Sequence, residues 1–433
     1  MSWLNTEIAE KWRMEGKRYA DDVNTFVRSM LQGEQPDESE LSDDNRHTIS
    51  AKVMKMVKQA NLHGEVERLR KELPAATWPL SNHFQNSMQA VQVAGYLNEG
   101  TILCNTGLSS NKGQVYTMDQ QGWWRSPNAA FAGSSPDGMY IALANSEGVR
   151  VIRKPDRRLK GEQVALYHWS EIQENIRAVL PGIESLADST HPEYTLEKLI
   201  PVDHGRTLLL QSELGIYLIE QAKATILHPD VAEIQEYEYE DTRLSMGHAA
   251  VSYDERWIAW GSQMSSHTVM DRKMNKIVQI EPQSSYPHCA AFSRDHQHVW
   301  FNACHFYNGV TIQVQLADIE RHEDSEEWPI MDENARVYTM VEIEAGMIIG
   351  DAYGYLYCIN NAGQELWRHF VGSTIYSLAV SPDQSQLAVG TYGGMLHLLD
   401  LCSQSMDEYG IGTGTLRELE RYVLWRDEEP LRW

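Results

Sequence analysis

Residues 374–401, TIYSLAVSPDQSQLAVGTYGGMLHLLDL, read as three strands joined by two turns. Apolar residues alternate through 375–380, and Ser381, Pro382 and Asp383 interrupt them. A second apolar run covers 386–390, Gly393 and Gly394 make the next break, and a third run follows over 395–399. Period-two alternation marks strands packed on at least one face. Proline sets φ for the first turn, and glycine permits the positive φ of a tight hairpin at the second.

The same order recurs along the chain. Residues 128–153 (NAAFAGSSPDGMYIALANSEGVRVIR) turn at Asp137 and Gly138 and again at Gly148. Residues 249–262 turn at Asp254, and residues 289–316 at Asp295 and Gly309. Weaker copies lie over 90–119, 197–220 and 338–360, with second turns at Gly113, Gly215 and Gly354. That makes seven units, spaced by 45 residues from Gly309 to Gly354 and by 40 from Gly354 to Gly394. The longer gap of 67 from Gly148 to Gly215 holds SEIQENIRAVLPGI, which reads as an inserted helix with a capping box from Ser170 to Gln173. Antiparallel units of about 40 to 50 residues cannot bury both faces alone, so they stack radially and close a ring. The expected fold is mainly β, a seven-bladed β-propeller over about 78–405, with the second-turn glycines supplying positive φ.

The repeats resemble two propeller families. SPDQSQLAVGTYGGMLHLLDL and SSPDGMYIALANSEGVRVI are similar to WD40 repeats, although no repeat carries a Trp-Asp dipeptide. GYLYCINNAGQELW, with Gly354, Tyr357, Gly363 and Trp367, resembles a repeat of the pyrroloquinoline-quinone-type (PQQ-like) propellers. GQVYTMDQQGWW, with Gly113, Tyr116, Gly122 and Trp124, resembles it too. The resemblance implies a propeller with a binding role. It brings across no quinone or metal ligands, so no cofactor and no enzymatic activity are expected from it.

Ahead of the repeats, residues 1–75 read as helical. Ile8, Trp12, Tyr19, Val23, Phe26, Val27 and Met30 recur at helical spacing. After a polar break over 33–44, Ile49, Val53, Val57, Leu62, Val66, Leu69 and Leu73 follow, and Pro74 ends the run. The reading is a helical hairpin. At the other end, residues 406–433 include apolar Tyr422, Val423, Leu424 and Trp425 and finish on Trp433, a segment expected to close or latch the ring.

Charge restricts the partner. The chain has 37 Lys and Arg against 61 Asp and Glu, a net charge of −24. Residues 1–75 account for only −2 of it. Phosphate binding depends on Lys and Arg, so nucleic acid and anionic membranes are not expected partners. No apolar run is long enough to span a bilayer, and the first residues show no apolar leader, which makes the cytoplasm the expected location. Five cysteines (Cys104, Cys289, Cys304, Cys358 and Cys402) read as reduced thiols.

Catalytic motifs do not emerge: HExxH, GxSxG, GxxxxGK[ST] and EF-hand spacings are all missing. His288, Cys289, Cys304 and His305 carry zinc-type donors. Adjacent residues on a strand point to opposite faces, so the four converge only if a bulge intervenes, and no metal is expected there. Two acidic stretches, 233–243 and 318–333, read as long interblade connections that place Tyr237, Tyr239 and Trp328 among carboxylates. Loops between second and third strands share one end of a propeller. They present Ser109, Asn111, Glu147, Glu213, Gln263, His305, Tyr307, Asp351, Tyr353 and Tyr392.

Together these suggest a non-enzymatic scaffold that binds a basic protein, in its sharpest form an immunity protein that covers the cationic site of a toxin. The alternative is a propeller hydrolase or lyase with a metal at the central channel. A third reading gives the N-terminal helices an assembly role.

Overall fold

The computed structural model describes all residues except 1, 38, 40, 98–99, 109–112, 222, 307, 320–327, 406 and 413. Seven antiparallel sheets follow one another, each a meander in which consecutive strands are hydrogen-bonded neighbours. Blade 1 comprises β1 (Gln92–Tyr96), β2 (Ile102–Thr106), β3 (Gln114–Asp119) and β4 (Gly122–Arg125). The innermost strands of blades 2 to 7 begin at Phe131, Leu196, His248, Pro287, Val337 and Ile375. This is the expected seven-bladed β-propeller, preceded by a helical region. In 374–401 the strands run Ile375–Val380, Gln386–Thr391 and Met395–Asp400, within one residue of the sequence reading.

A recurring side-chain device holds the first turn of four blades. Ser135, Ser252, Ser293 and Ser381 each donate to the aspartate two residues on, at 2.5–2.6 Å. Each serine oxygen also accepts the backbone N–H five residues on, closing a hairpin whose positive-φ position is Gly138 in the first and the non-glycine residues Glu255, His296 and Gln384 in the other three. The PQQ-like segments form the third and fourth strands of blades 6 and 1, with positive-φ glycines at Gly363 and Gly122.

The second-turn glycines divide into two kinds. Gly215, Gly354 and Gly394 do have positive φ. Gly113, Gly148 and Gly309 do not, and a Cβ there would meet the carbonyl oxygens of Ala130, Tyr167 and Ala335 at 2.1–2.3 Å. Close passage of neighbouring backbone requires glycine at those three positions.

Neighbouring blades are joined by buried apolar seams and by amide clasps. Asn105 donates to Ala132 O and accepts Ala132 N–H, joining blade 1 to blade 2. Asn302 makes the same pair of bonds to Ala335 O and Val337 N–H, joining blade 5 to blade 6. At the closure between blades 7 and 1, Val91, Ile102, Cys104 and Met118 pack against Ala388, Leu396 and Tyr422. Tyr422 donates to Asp119 O and Val91 N–H to Thr391 O.

The fourth strand of blade 7 is Arg417–Val423, and a fifth, Leu431–Arg432, pairs outside it. The sequence reading ended the repeats at 405 because this outer strand is charged. Its Glu418 and Glu420 are held by Arg421, His397 and Arg432.

The helical region comprises α1 (Thr6–Leu31), a 3-10 turn (Asn45–Ile49), α2 (Ser50–His63), α3 (Val66–Glu72) and α4 (Trp78–Phe84). The second arm of the expected hairpin is thus two helices, divided at Gly64 in the left-handed region. The buried stripe of α1 is Ala9, Trp12, Gly16, Ala20 and Asn24. Of the large residues expected there only Trp12 is buried, and Met30 is exposed. Small residues are required because Arg46 lies against Gly16 and its guanidinium sits 5.2 Å over the Trp12 ring.

Trp12 stacks on Trp433, and both pack with Met395, Val423 and Trp425 at one end of blade 7. The inserted helix α5 (Trp169–Val179) forms as expected, but without the capping box. Gln173 instead donates to Leu186 O and Ser189 O.

Candidate functional site: the upper face and channel mouth

In an antiparallel meander, loops joining strands two and three open on the same end as loops joining one blade to the next. We call this end the upper face. Among the described residues of the loops at this end, six large side chains are exposed: Tyr237, Tyr239, Met264, Phe306, Tyr353 and Tyr392. Met264 is 84% exposed, Phe306 71% and Tyr237 62%. Such residues gain free energy when they are covered.

The expected site residues fare differently. Glu147 and Glu213 are exposed at the upper turns of blades 2 and 3. Gln263 is partly buried, and its Oε1 accepts from Ser245. His305 is exposed, with its ring 4.4 Å from Phe306 and 5.7 Å from Tyr286. Asp351 is buried: it accepts the backbone N–H groups of Tyr353 and Tyr355, and burial pushes its carboxyl up to about 6. It shapes the loop that presents Tyr353. Ser109, Asn111 and Tyr307 lie outside the described residues.

Tyr237 and Tyr239 stack at 5.9 Å just after the short helix α6 (Val231–Glu236). Their acidic loop is anchored, since Glu184 N–H donates to Glu240 O and Thr242 N–H to Glu184 O. The second acidic stretch is not an interblade connection. Its residues 320–327 lie outside the described residues, and its flanks lie between the third and fourth strands of blade 5, at the opposite, lower end of the blade. Trp328 is 9% exposed and packs into the core between blades 4 and 5, so it does not join the others.

Below the upper face a cavity of about 950 Å³ follows the channel axis. Its upper mouth is built by a device that the sequence reading missed. In blades 3, 5, 6 and 7 the register between first and second strands shifts at the second residue of the inner strand. The extra residues are Glu197, His288, Tyr338 and Tyr376, and each lines the cavity. A bulge breaks the pleat and re-aims one side chain, here toward the axis. A signal was present: aligned by repeat, PHCAAF, VYTMV and IYSLAV each place an imidazole or phenol second.

Tyr376 and Tyr392 meet edge to face at 4.8 Å, and Tyr392 lies 5.9 Å from Tyr338. Glu197 accepts from Gln211 Nε2 at 2.7 Å, and burial pushes its carboxyl above the usual range. Burial pushes the Lys198 ammonium down, and it donates to Ala249 O. Burial holds His288 at about 4 and His267 at about 3, so both are neutral at pH 7.

The zinc-type donors do not assemble. A bulge does separate His288 from Cys289, but Cys289 faces the seam to blade 6, Cys304 is held near Phe306 O and His305 is exposed. Among the described residues no three His, Cys, Asp or Glu side chains form a group that could hold a metal ion. No described helix is long and apolar enough to cross a membrane.

No protein-family model and no curated protein sequence matches the chain. Among solved structures it is similar to the β-propeller domain of Myceliophteria thermophila Cps50 (Swd1), at 12% identity and TM-score 0.47, over 70% of this chain and 93% of that one. It is likewise similar to Saccharomyces cerevisiae Sqt1, at 10% identity and TM-score 0.49, over 80% of this chain and 96% of that one.

Proposed function

We propose that this chain is a non-enzymatic scaffold whose upper face docks a protein partner. The observation that carries the reading is the convergence of Tyr237, Tyr239, Met264, Phe306, Tyr353 and Tyr392 on one end of the ring. Aromatic and methionine side chains on a preformed surface supply anchor energy at little ordering cost. The carboxylates beside Tyr237 and Tyr239, in a chain of net charge −24, favour a basic partner and speed its approach. Neutralisation of a cationic toxin is the narrowest form of this reading.

Photo-crosslinking tests it directly. A photoreactive residue in place of Phe306 or Tyr353 should capture a discrete protein in the native host, whereas one at Met274, exposed on the lower face, should not. Equal labelling from both faces would end the upper-face reading. Binding insensitive to salt would remove the electrostatic part alone.

A further inference from the structure

Beside the mouth stands a cation that has no carboxylate partner among the described residues. Arg336 lies in the connection from blade 5 to blade 6, with its guanidinium 5.0 Å over the Tyr338 ring. Its Nη1 donates to Phe306 O at 3.3 Å, Nη2 contacts Met246 Sδ at 3.0 Å, and Nε is buried with no acceptor. Among the described residues no carboxylate pairs with it, although Arg46, Arg256, Arg272, Arg421 and Arg432 are each held by one. Arg70 is likewise half-buried with no ion pair among the described residues, but it donates to Leu419 O and Glu418 O, whereas Arg336 keeps a buried N–H with no acceptor.

The neighbours of Arg336 are neutral. Its charge reaches His288, Cys304 and Tyr392, in each case opposing the protonated cation or favouring the anion. His288 is buried, lines the cavity and has Nδ1 without a partner. Lys198 also lines the cavity and forms no ion pair among the described residues. Glu197, the acid at this mouth, is already engaged by Gln211. Asp332, which ends the strand before the connection that carries Arg336, accepts from Asn334 and Ala335 N–H and from the Tyr357 hydroxyl.

An unpaired, half-buried guanidinium and orphaned buried nitrogens cost free energy unless something else satisfies them. Guanidinium, ammonium and phenol donors around a preformed opening match an oxyanion. We propose that the channel mouth binds a carboxylate or phosphate group, with Arg336 and Lys198 supplying the charge and the Tyr376 and Tyr392 hydroxyls acting as donors. The anion is either a free small molecule or a carboxylate carried by the docked chain. The site needs only its own ligand, so it stands or falls separately from the docking face.

Calorimetric titration of the full chain with sodium phosphate, with succinate, and with a short peptide as free acid and as C-terminal amide tests this. Saturable uptake of at least one anion is expected. Arg336→Gln should weaken it at least tenfold and Tyr392→Phe about threefold, while the exposed control Arg417→Gln leaves it unchanged. An unchanged thermal midpoint in each variant confirms that the fold is kept. Uptake of phosphate or succinate identifies a free anion, and uptake of the peptide acid but not its amide identifies a carboxylate of a docked chain. No saturable uptake by the folded wild-type chain, affinity indifferent to Arg336→Gln, or preference for methylguanidinium over all the anions would each overturn the proposal.

Discussion

The seam beneath the helices and the mouth of the channel both gather residues from distant parts of the chain, yet they satisfy their polar groups in opposite ways. At the seam nearly every buried donor has an acceptor. Trp433 Nε1 donates to Leu73 O, Trp12 Nε1 to Pro74 O and Trp425 Nε1 to Gly393 O. Glu418 bridges His397 and Arg421, and Arg421 reaches Thr77, leaving His397 Nε2, Trp3 Nε1 and Asn24 Oδ1 as exceptions among the described residues. At the mouth, Arg336 Nε, His288 Nδ1, Gln211 Oε1 and both nitrogens of His248 are orphans. The difference separates what holds the ring together from what the ring is free to offer.

The contrast fails if truncation at the two regions costs the same. Trp433→Ala removes a fully buried indole and its hydrogen bond and should lower stability by about 3 to 5 kcal/mol in urea unfolding. Glu418→Gln leaves Arg421 and His397 buried without their anion, with an expected loss of about 3 kcal/mol. The flanking Arg421 and His397 hold the Glu418 carboxyl well below its ordinary range. Its contribution is therefore present above the unfolded value of about 4.5 and fades as pH falls below it.

Acid sharpens the same comparison. Burial holds His228, His288 and His369 at about 4 and His267 at about 3. Below about 6.5 the unfolded chain binds protons that these folded rings refuse, so stability falls as pH drops from 6.5 toward 4. The slope is at most about 1.4 kcal/mol per pH unit for each ring. Asp351, raised to about 6, takes up its proton earlier when folded and offsets one ring. The urea midpoint at pH 5 should lie clearly below that at pH 7.5, and equal midpoints would mean the imidazoles are not buried as described.

Smaller effects follow. Ser293→Ala removes the acceptor for His298 N–H in one hairpin and should cost about 1 kcal/mol, read as a shifted thermal midpoint. Tyr392→Ala, at a half-exposed side chain of the mouth, should change stability by no more than about 0.5 kcal/mol. A larger loss there would make the mouth part of the framework.

Most of the ring could be read from sequence because alternation and turn chemistry are local, as in 374–401. What escaped depends on a second chain segment. The bulges at Glu197, His288, Tyr338 and Tyr376 are register events between two strands, invisible in either alone. The buried face of α1 was set by Arg46, a charged residue that no apolar pattern reports. Trp328 looked like an anchor because it sits among acids, but it belongs to a core and to the other face. Met264 and Phe306 share a face with Tyr353 only once the strand order is known, and Arg336 becomes notable only when its missing carboxylate can be seen.

The pairing of Trp12 with Trp433 has a consequence for how the protein is made. The first helix leaves the ribosome long before blade 7 exists, and although Arg46 and the following helices can cover its stripe of small residues early, the Trp12 ring that stacks on Trp433 waits for the last blade. Biogenesis should therefore pass through a species with six blades made and the helices undocked from the ring, vulnerable to proteases and to premature self-association, and should favour conditions in which chaperones shelter that segment until blade 7 is made.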